Sequence, residues 1–282
     1  MFDSIAGDYD SLNHILSLDV DKIWRKKALK QIVDAPAPAR VLDLACGTGD
    51  FSIAIAKALS RSHKRVGTPI EAHAKASVKA PVKAPVEAPV EAPAKAPVEA
   101  QVTSTGFVTG DSGRSDLMTK GHVTGVDLSE GMLAVMREKV AKAGLTEMIS
   151  IEEGDGENLR FPDNTFDRVT IAFGIRNFED RPKGLREMLR VLKPGGRLVI
   201  LELSRPENKI IRWFYDLYFL HILPKIGGKV SGDKAAYAYL PASVAAFPGK
   251  KAFMATMREA GFRAVTHKAF TLGICRMYTG EK

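Results

Sequence analysis

Between Arg61 and Gly121 the chain carries a stretch that cannot contribute to a buried core, so whatever folds must be assembled from the sequence on either side of it. Its middle reads KAPVKAPVEAPVEAPAKAPVEAQV, a four-residue repeat of Ala, Pro, Val and a charged residue. Proline at every fourth position removes backbone donors and forbids a helix, and no large apolar side chain is present to bury. An extended, solvated, disordered segment with polyproline II character is expected. The remainder, TSTGFVTGDSGRSDLMTKG, is equally loop-like. The tract reads either as a tolerated surface insertion or as a tether for a partner. Residues 1–60 and 122–282 are then expected to form a single domain around the 61–121 insertion.

Outside the tract, short apolar runs alternate with helical patterns, the signature of a mostly parallel sheet covered on both faces. Strands are expected at Arg40–Cys46, His122–Leu128, Met148–Asp155, Phe166–Phe173 and Gly196–Ser204, with two more at Ala264–Phe270 and Ile274–Tyr278. Helices are expected at Asp50–Leu59, Glu130–Ala143, Arg181–Leu192 and Lys250–Ala260, the third stopped by Lys193-Pro194-Gly195-Gly196. The fold class is therefore α/β, a doubly wound, mostly parallel seven-stranded sheet.

Bulk properties exclude some chemistries. Two cysteines, Cys46 and Cys275, have neither metal-ligand spacing nor a disulfide framework, so no metal is expected and a reducing compartment is. The start, MFDSIAGDYD, lacks the basic and apolar regions of a targeting signal, which points to the cytoplasm. The net charge of +8 would suit nucleic acid, an anionic membrane surface or an anionic ligand equally. The tract holds nine basic and six acidic residues, so +5 of that charge belongs to the rest of the chain. The apolar stretch from Ile210 to Leu223 is broken by Arg212, Asp216 and His221 and is too short to cross a bilayer, although it suits lying on one.

The first strand runs into Asp43-Leu-Ala-Cys-Gly47-Thr48-Gly49-Asp50 and then directly into a helix, which places the glycines at the carboxyl edge of the sheet. A dinucleotide fingerprint needs a third glycine, and here Asp50, Phe51 and Ser52 follow Gly49. The pattern suits the amino-acid end of a methionine-type ligand, whose ammonium and carboxylate need a nearby acid such as Asp43 and free backbone donors at Gly47, Thr48 and Gly49. Asp127 ends the second strand, where an acid can accept both hydroxyls of a ribose. It lies 80 positions after Gly47, and removing the 61 residues of the tract leaves 19, close to the roughly 20 such a site uses. Asp155 and Gly156, at the end of the third strand, would flank an adenine. Together these residues read as a site for a nucleoside joined to an amino acid.

Nearly all of the sequence outside the tract resembles the ubiquinone and menaquinone biosynthesis C-methyltransferases, the family that includes demethylmenaquinone methyltransferase. The segments that carry the resemblance are FDSIAGDYDSLNHILSLDVDKIWR, VLDLACGTGD, VDLSEGML, FPDNTFDRVTIAFGIRNFEDRPKGLREMLRVLKPGGRLVILELSRP and SGDKAAYAYLPASVAAFPGK. The glycine loop and LKPGG are common to methyltransferases, whereas FGIRNF, SGDKAAYAYLP and the N-terminal FDSIAGDYD are particular to this family. Gly156 and Arg160 stand where similar proteins usually have alanine and proline, and Tyr278 where a histidine is common. The resemblance implies a class I, Rossmann-like fold that uses S-adenosylmethionine, with Thr48, Asp127, Asp155 and Gly156 as cofactor contacts. It also implies a prenylated quinol as substrate, either demethylmenaquinol or 2-methoxy-6-polyprenyl-1,4-benzoquinol.

Methylating a ring carbon requires a reduced, electron-rich ring that has lost a hydroxyl proton. A phenol titrates near ~10, so a base or a positive field is needed. Arg176 and Asn177 in FGIRNF follow the fourth strand and are the catalytic candidates. An arginine is a donor only, so Arg176 is assigned to stabilising the ring oxyanion and Asn177 to orienting it, with the proton leaving through water. The alternative for Arg176 is an ordinary salt bridge. Tyr9, Asn13 and His14 suit an N-terminal lid. The aromatic segment IIRWFYDLYFLHILPKIGG suits a cover for the prenyl tail, a contact with the inner face of the membrane, or a plain core helix. A homodimer is compatible with this reading, and no nucleic-acid partner is expected, since no base-flipping motif is present. A dehydrogenase and a non-catalytic scaffold on the same fold are the competing readings.

Overall fold

A computed structural model describes residues 19–35, 39–66, 121–218 and 234–282. The Ala-Pro-Val repeat and the expected lid residues Tyr9, Asn13 and His14 lie outside the described residues. The elements are α1 (Val20–Ile32), β1 (Arg40–Leu44), α2 (Asp50–Val66), β2 (His122–Asp127), α3 (Glu130–Lys142), β3 (Ile149–Glu153) and β4 (Phe166–Ala172). A single 3-10 turn (Ile175–Asn177) is followed by α4 (Arg181–Val191), β5 (Leu192–Leu203), α5 (Lys209–Leu217), α6 (Lys234–Ala246), α7 (Lys250–Glu259), β6 (Arg263–Phe270) and β7 (Cys275–Glu281).

The seven strands form one sheet in the order β3-β2-β1-β4-β5-β7-β6. The first five pair in parallel, and β7 runs antiparallel between β5 and β6. The order reverses between β1 and β4, the point at which a doubly wound sheet opens a crevice at its carboxyl edge. This is the expected doubly wound architecture.

Alternation along the strands sorts the side chains into two cores. On β5, Val199 and Leu201 belong to one core with Trp24, Ala28 and Ile32 of α1, a core that continues to Leu133 and Met136 of α3. Leu198 and Ile200 point the other way, to Leu185 and Met188 of α4 and to Phe253 and Met257 of α7. Each fully buried Leu, Ile or Phe contributes about 1.5–3 kcal/mol of burial free energy. Helix α1 had no counterpart among the expected elements, yet Trp24, Ala28 and Ile32 recur at helical spacing on its buried face. The Trp24 indole N–H also donates to Thr271 Oγ1 at 2.8 Å, which fixes the helix across the sheet.

Two boundaries differ from expectation by four residues or more. Helix α2 continues to Val66, past Leu59 and into the low-complexity tract, because nothing before the first proline of the tract at Pro69 interrupts it. Strand β5 begins at Leu192 rather than after the Pro-Gly-Gly: Leu192 is opposite Phe166 and Arg197 is opposite Arg168. Residues 193–196 therefore bulge out of the ladder, with Gly195 at φ 74° and its N–H donating to Lys282 O at 3.3 Å. The terminator ends the helix as expected, but the buried Leu192 draws the strand start back ahead of it.

Candidate active site

At the carboxyl edge the ends of β1, β2, β3 and β4 enclose a cavity of about 320 Å³, within the range of roughly 300–1,000 Å³ typical of small-molecule sites. Gly47, Asp127, Asp155 and Gly156 line it together with Phe173, Asn177 and Phe178. A smaller cavity of about 30 Å³, bordered by Asp43, Thr48, Asp50 and Arg25, shares Ala45, Gly47 and Phe173 with the larger one.

The turn after β1 is built by backbone conformations that few residues adopt. Ala45, Gly47 and Gly49 all have positive φ, at 49°, 56° and 83°. A side chain at Gly49 would place its Cβ 2.4 Å from Met136 Cγ, so only glycine allows α3 to pack against this turn. Gly174 serves the same end on the opposite side, where a Cβ would stand 2.4 Å from that of Ala45. Phe173 at φ 62° and Ala45 are non-glycine residues held in a strained region, as is common where a backbone is shaped to meet a ligand.

Asp127 ties this turn to β2. Its Oδ2 accepts from Gly47 N at 2.8 Å, and its Oδ1 accepts from Ser129 N at 2.9 Å. Asp155 Oδ1 accepts from Glu157 N at 2.8 Å, closing the turn that presents Gly156. A Cβ on Gly156 would come 2.5 Å from Phe178 Cζ, and one on Gly184 2.5 Å from Phe178 Cδ2, so that ring is held between two glycines. Thr48 is buried and its Oγ1 accepts from Lys139 Nζ at 3.2 Å, while Lys139 also pairs with Asp50. Asp43 is buried, and Ser52 Oγ donates to its Oδ2 at 2.6 Å. Burial pushes its carboxyl up to about 7, opposed by the Ser52 hydrogen bond and by Arg25 and assisted by the charge of Asp127.

The two catalytic candidates diverge. Asn177 lines the cavity and its Oδ1 accepts from Tyr239 Oη of α6 at 2.9 Å. Arg176 turns into the protein. Its Nη1 donates to Glu202 Oε1 at 2.9 Å and to Phe173 O, its Nε donates to Ser243 Oγ at 3.3 Å, and its backbone N donates to Glu202 Oε2 at 3.1 Å. Glu202 is fully buried on β5. Its signal in the sequence is a carboxylate inside the apolar run LVILEL, which is tolerable only with a buried partner. Tyr239 and Ser243 escaped notice because SGDKAAYAYLP marks a family without revealing where it packs. In the fold Tyr239 and, just beyond that motif, Ser243 lie on α6 beside FGIRNF.

A seven-stranded doubly wound sheet with a glycine turn and acids at successive strand tips defines a class I S-adenosylmethionine-dependent methyltransferase. Solved structures share the fold. An S-adenosylmethionine-dependent methyltransferase from Aquifex aeolicus matches with a TM-score of 0.51 at 18% identity, covering 91% of this chain and 88% of that one. The [4+2]-cyclase SpnF matches with a TM-score of 0.53 at 16% identity, covering 91% and 80%. The chain belongs to the ubiE/COQ5 methyltransferase family, whose model matches residues 1–91 and 102–282. It is 42% identical over its whole length to the ubiquinone/menaquinone biosynthesis C-methyltransferase UbiE of Geobacter sulfurreducens, of which it covers 87%. It is 39% and 36% identical to the demethylmenaquinone methyltransferases of Deinococcus radiodurans and Bacteroides fragilis, again over its whole length and over 91% of each. S-adenosylmethionine is accordingly its cofactor, and the site fits that group. Asp127 and Asp155 line the larger cavity and Asp43 and Thr48 the smaller one, polar groups of the kind its hydroxyls and ammonium require, while the Gly47 and Gly49 amides, expected to be free donors, are spent on Asp127 and on Cys46 O.

Proposed function

We propose that this chain methylates a ring carbon of a prenylated quinol, with demethylmenaquinol as the acceptor and 2-methoxy-6-polyprenyl-1,4-benzoquinol as the alternative. The observation that carries this reading is the position of Asn177, which lines the same cavity as Asp127, Asp155 and Gly156. The identities of the relatives support the quinol ring.

When bound, the cofactor supplies an electrophilic methyl group on a sulfonium. The chain's own residues must hold an electron-rich ring against that methyl and stabilise negative charge on the ring oxygen. Tyr239 occupies Asn177 Oδ1, which leaves the amide Nδ2 as the group offered to the cavity, a donor suited to the ring oxygen as its charge develops. Arg176 acts at one remove. Held by Glu202, Ser243 and the Phe173 carbonyl, it fixes the turn from which Asn177 projects and is a positioning residue. Gly47, Thr48, Gly49 and Asp43 are proposed to hold the methionine end, Asp127 the ribose, and Asp155 with Gly156 the adenine. Alignment of two bound reactants accounts for much of the acceleration. Residues 1–60 and 122–282 are proposed to act as one catalytic domain, with the tract between them outside the chemistry. No helix among the described residues is long and apolar enough to cross a membrane, so the substrate is proposed to be met from the inner membrane surface.

The test is transfer of labelled methyl from S-adenosylmethionine to reduced demethylmenaquinone and, separately, to the reduced benzoquinol. Transfer to one ring, lost in Asn177→Ala while cofactor binding persists, is the expected result. Cofactor binding with no transfer to either ring overturns the quinol assignment.

A further inference from the structure

Helix α5 follows directly from the carboxyl edge of β5 and has an apolar face that nothing among the described residues covers. Ile210, Trp213, Phe214 and Leu217 are 70%, 61%, 60% and 40% exposed. They fall at i, i+3, i+4 and i+7, a single stripe along the helix. The described residues expose seven large hydrophobic side chains, and four of them are these. A fifth, Leu272, sits on the turn between β6 and β7, whose Gly273 carbonyl accepts from Ser204 Oγ at 2.7 Å just ahead of α5. Apolar side chains scattered singly need no explanation, whereas a contiguous stripe does.

The helix is held firmly enough to present that stripe. Asn208 Oδ1 accepts from Ile210 N at 2.9 Å and Ile211 N at 3.2 Å, Tyr215 is buried behind it, and Arg205 pairs with Asp216 at 2.5 Å. The flanking charge is positive. Glu207 is shared by Lys250 at 2.7 Å and Arg276 at 3.3 Å, while Lys209 is exposed and has no carboxylate partner among the described residues. Among the described residues the Arg212 guanidinium donates only to the carbonyls of Pro206 and Glu207. Four cations that reach the surface, Arg205, Lys209, Arg212 and Lys250, thus accompany two carboxylates beside an apolar face that includes a tryptophan, while Arg276 is buried.

We infer that the exposed face of α5 docks on an anionic phospholipid bilayer, with Trp213 and Phe214 entering the headgroup region and the basic rim facing the lipid phosphates. Amphipathic helices with aromatic side chains on the apolar face and cations beside it bind at this depth, and a basic rim is drawn to the negative charge of such a surface. The purpose of docking rests on the proposed quinol substrate, whose prenyl tail resides in lipid, but the binding itself does not.

The chain has two tryptophans. Trp24 is buried and hydrogen-bonded to Thr271, so changes in emission report on Trp213. The full chain is mixed, without substrate, with vesicles of phosphatidylcholine and phosphatidylglycerol, or of phosphatidylcholine alone. The expected result is a blue shift and protection from acrylamide with the anionic vesicles, lost at high salt. Ile210→Ser with Phe214→Ser, keeping Trp213, is expected to weaken sedimentation with these vesicles by about tenfold or more. Methyl transfer to a short-tailed quinol in solution should be unchanged by that double variant. The inference is overturned by an unshifted spectrum, or by a Trp213 already shielded from acrylamide before vesicles are added. Shielding of the second kind would mean that residues 219–233 or a second copy of the chain cover the stripe. Vesicle binding by a chain that methylates no quinol would retain the docking surface and remove the quinol reading.

Discussion

The two sides of the cavity are built by different means. The side proposed for the cofactor is largely backbone: a turn of positive-φ residues, amide groups caught by Asp127, and glycines at which no Cβ could fit. The acceptor side is side chain upon side chain, with Asn177 oriented by Tyr239 and the turn beneath it held by the buried Arg176–Glu202 pair. A backbone site is as rigid as the sheet that carries it and tolerates changes in surrounding side chains. A side-chain site depends on each partner in turn, so single substitutions should damage it more and leave the cofactor side intact.

The largest expected effect is at Glu202. In Glu202→Ala the Arg176 guanidinium is left buried without its counter-charge, and a loss of about 3–5 kcal/mol in unfolding free energy is expected. A urea titration measures it, and a loss under 1 kcal/mol would show that the pair is not what holds this wall. Next is Asn177→Ala, which should lower kcat by about 10²–10³ if its amide meets the developing oxyanion. The comparison fails if calorimetry shows cofactor affinity falling with it.

The cofactor side should respond to pH instead. The Asp43 carboxyl is raised to about 7 by burial, so in the free protein it is largely protonated below that pH and ionised above it. A bound ammonium favours the ionised form, so binding releases a proton and affinity should rise with pH through the window around 7. The expected gain between pH 6 and pH 8 is at most about tenfold per pH unit. Asp43→Asn should flatten this dependence. A slope unchanged in the variant would assign the titration elsewhere. The same raised value means that Asp43 favours folding most below its unfolded value of 3.8, a contribution lost as pH rises through about 7.

The smallest effect is at Tyr239. Removing one neutral hydrogen bond costs about 0.5–1.5 kcal/mol, so Tyr239→Phe should lower kcat by about threefold to tenfold. In an Asn177→Ala background the same change should have no further effect. Additive losses in that double-mutant cycle would mean that Tyr239 acts on the substrate by itself rather than through Asn177.

The glycine turn and the acids at the strand ends, proposed as the cofactor side, were legible in the sequence because they are local. Asp43, Gly47, Thr48 and Gly49 lie within one strand–turn–helix unit, and Asp127, Asp155 and Gly156 are marked by their places at strand ends. The one obstacle was the tract between Gly47 and Asp127, and its composition identified it. The acceptor side was legible only in part. FGIRNF located the turn but not the directions of its side chains, because Arg176 and Asn177 are neighbours on a single 3-10 turn and nothing local distinguishes them. Helix α1 was missed for a related reason: its buried face has only three apolar residues in a largely charged segment.

What the sequence by itself determined is the alternation that builds a doubly wound sheet, the glycine turn, and the acids at successive strand tips. Each rests on short-range chemistry, the steric freedom of glycine or the periodicity of a strand. Only the tertiary structure decided that Arg176 turns inward to Glu202 and that Asn177 faces the cavity under Tyr239. Those choices are made by partners 26 and 62 residues further along the chain. A buried charge must go where its counter-charge is, and the sheet order alone brings β5 and α6 beside the turn that follows β4.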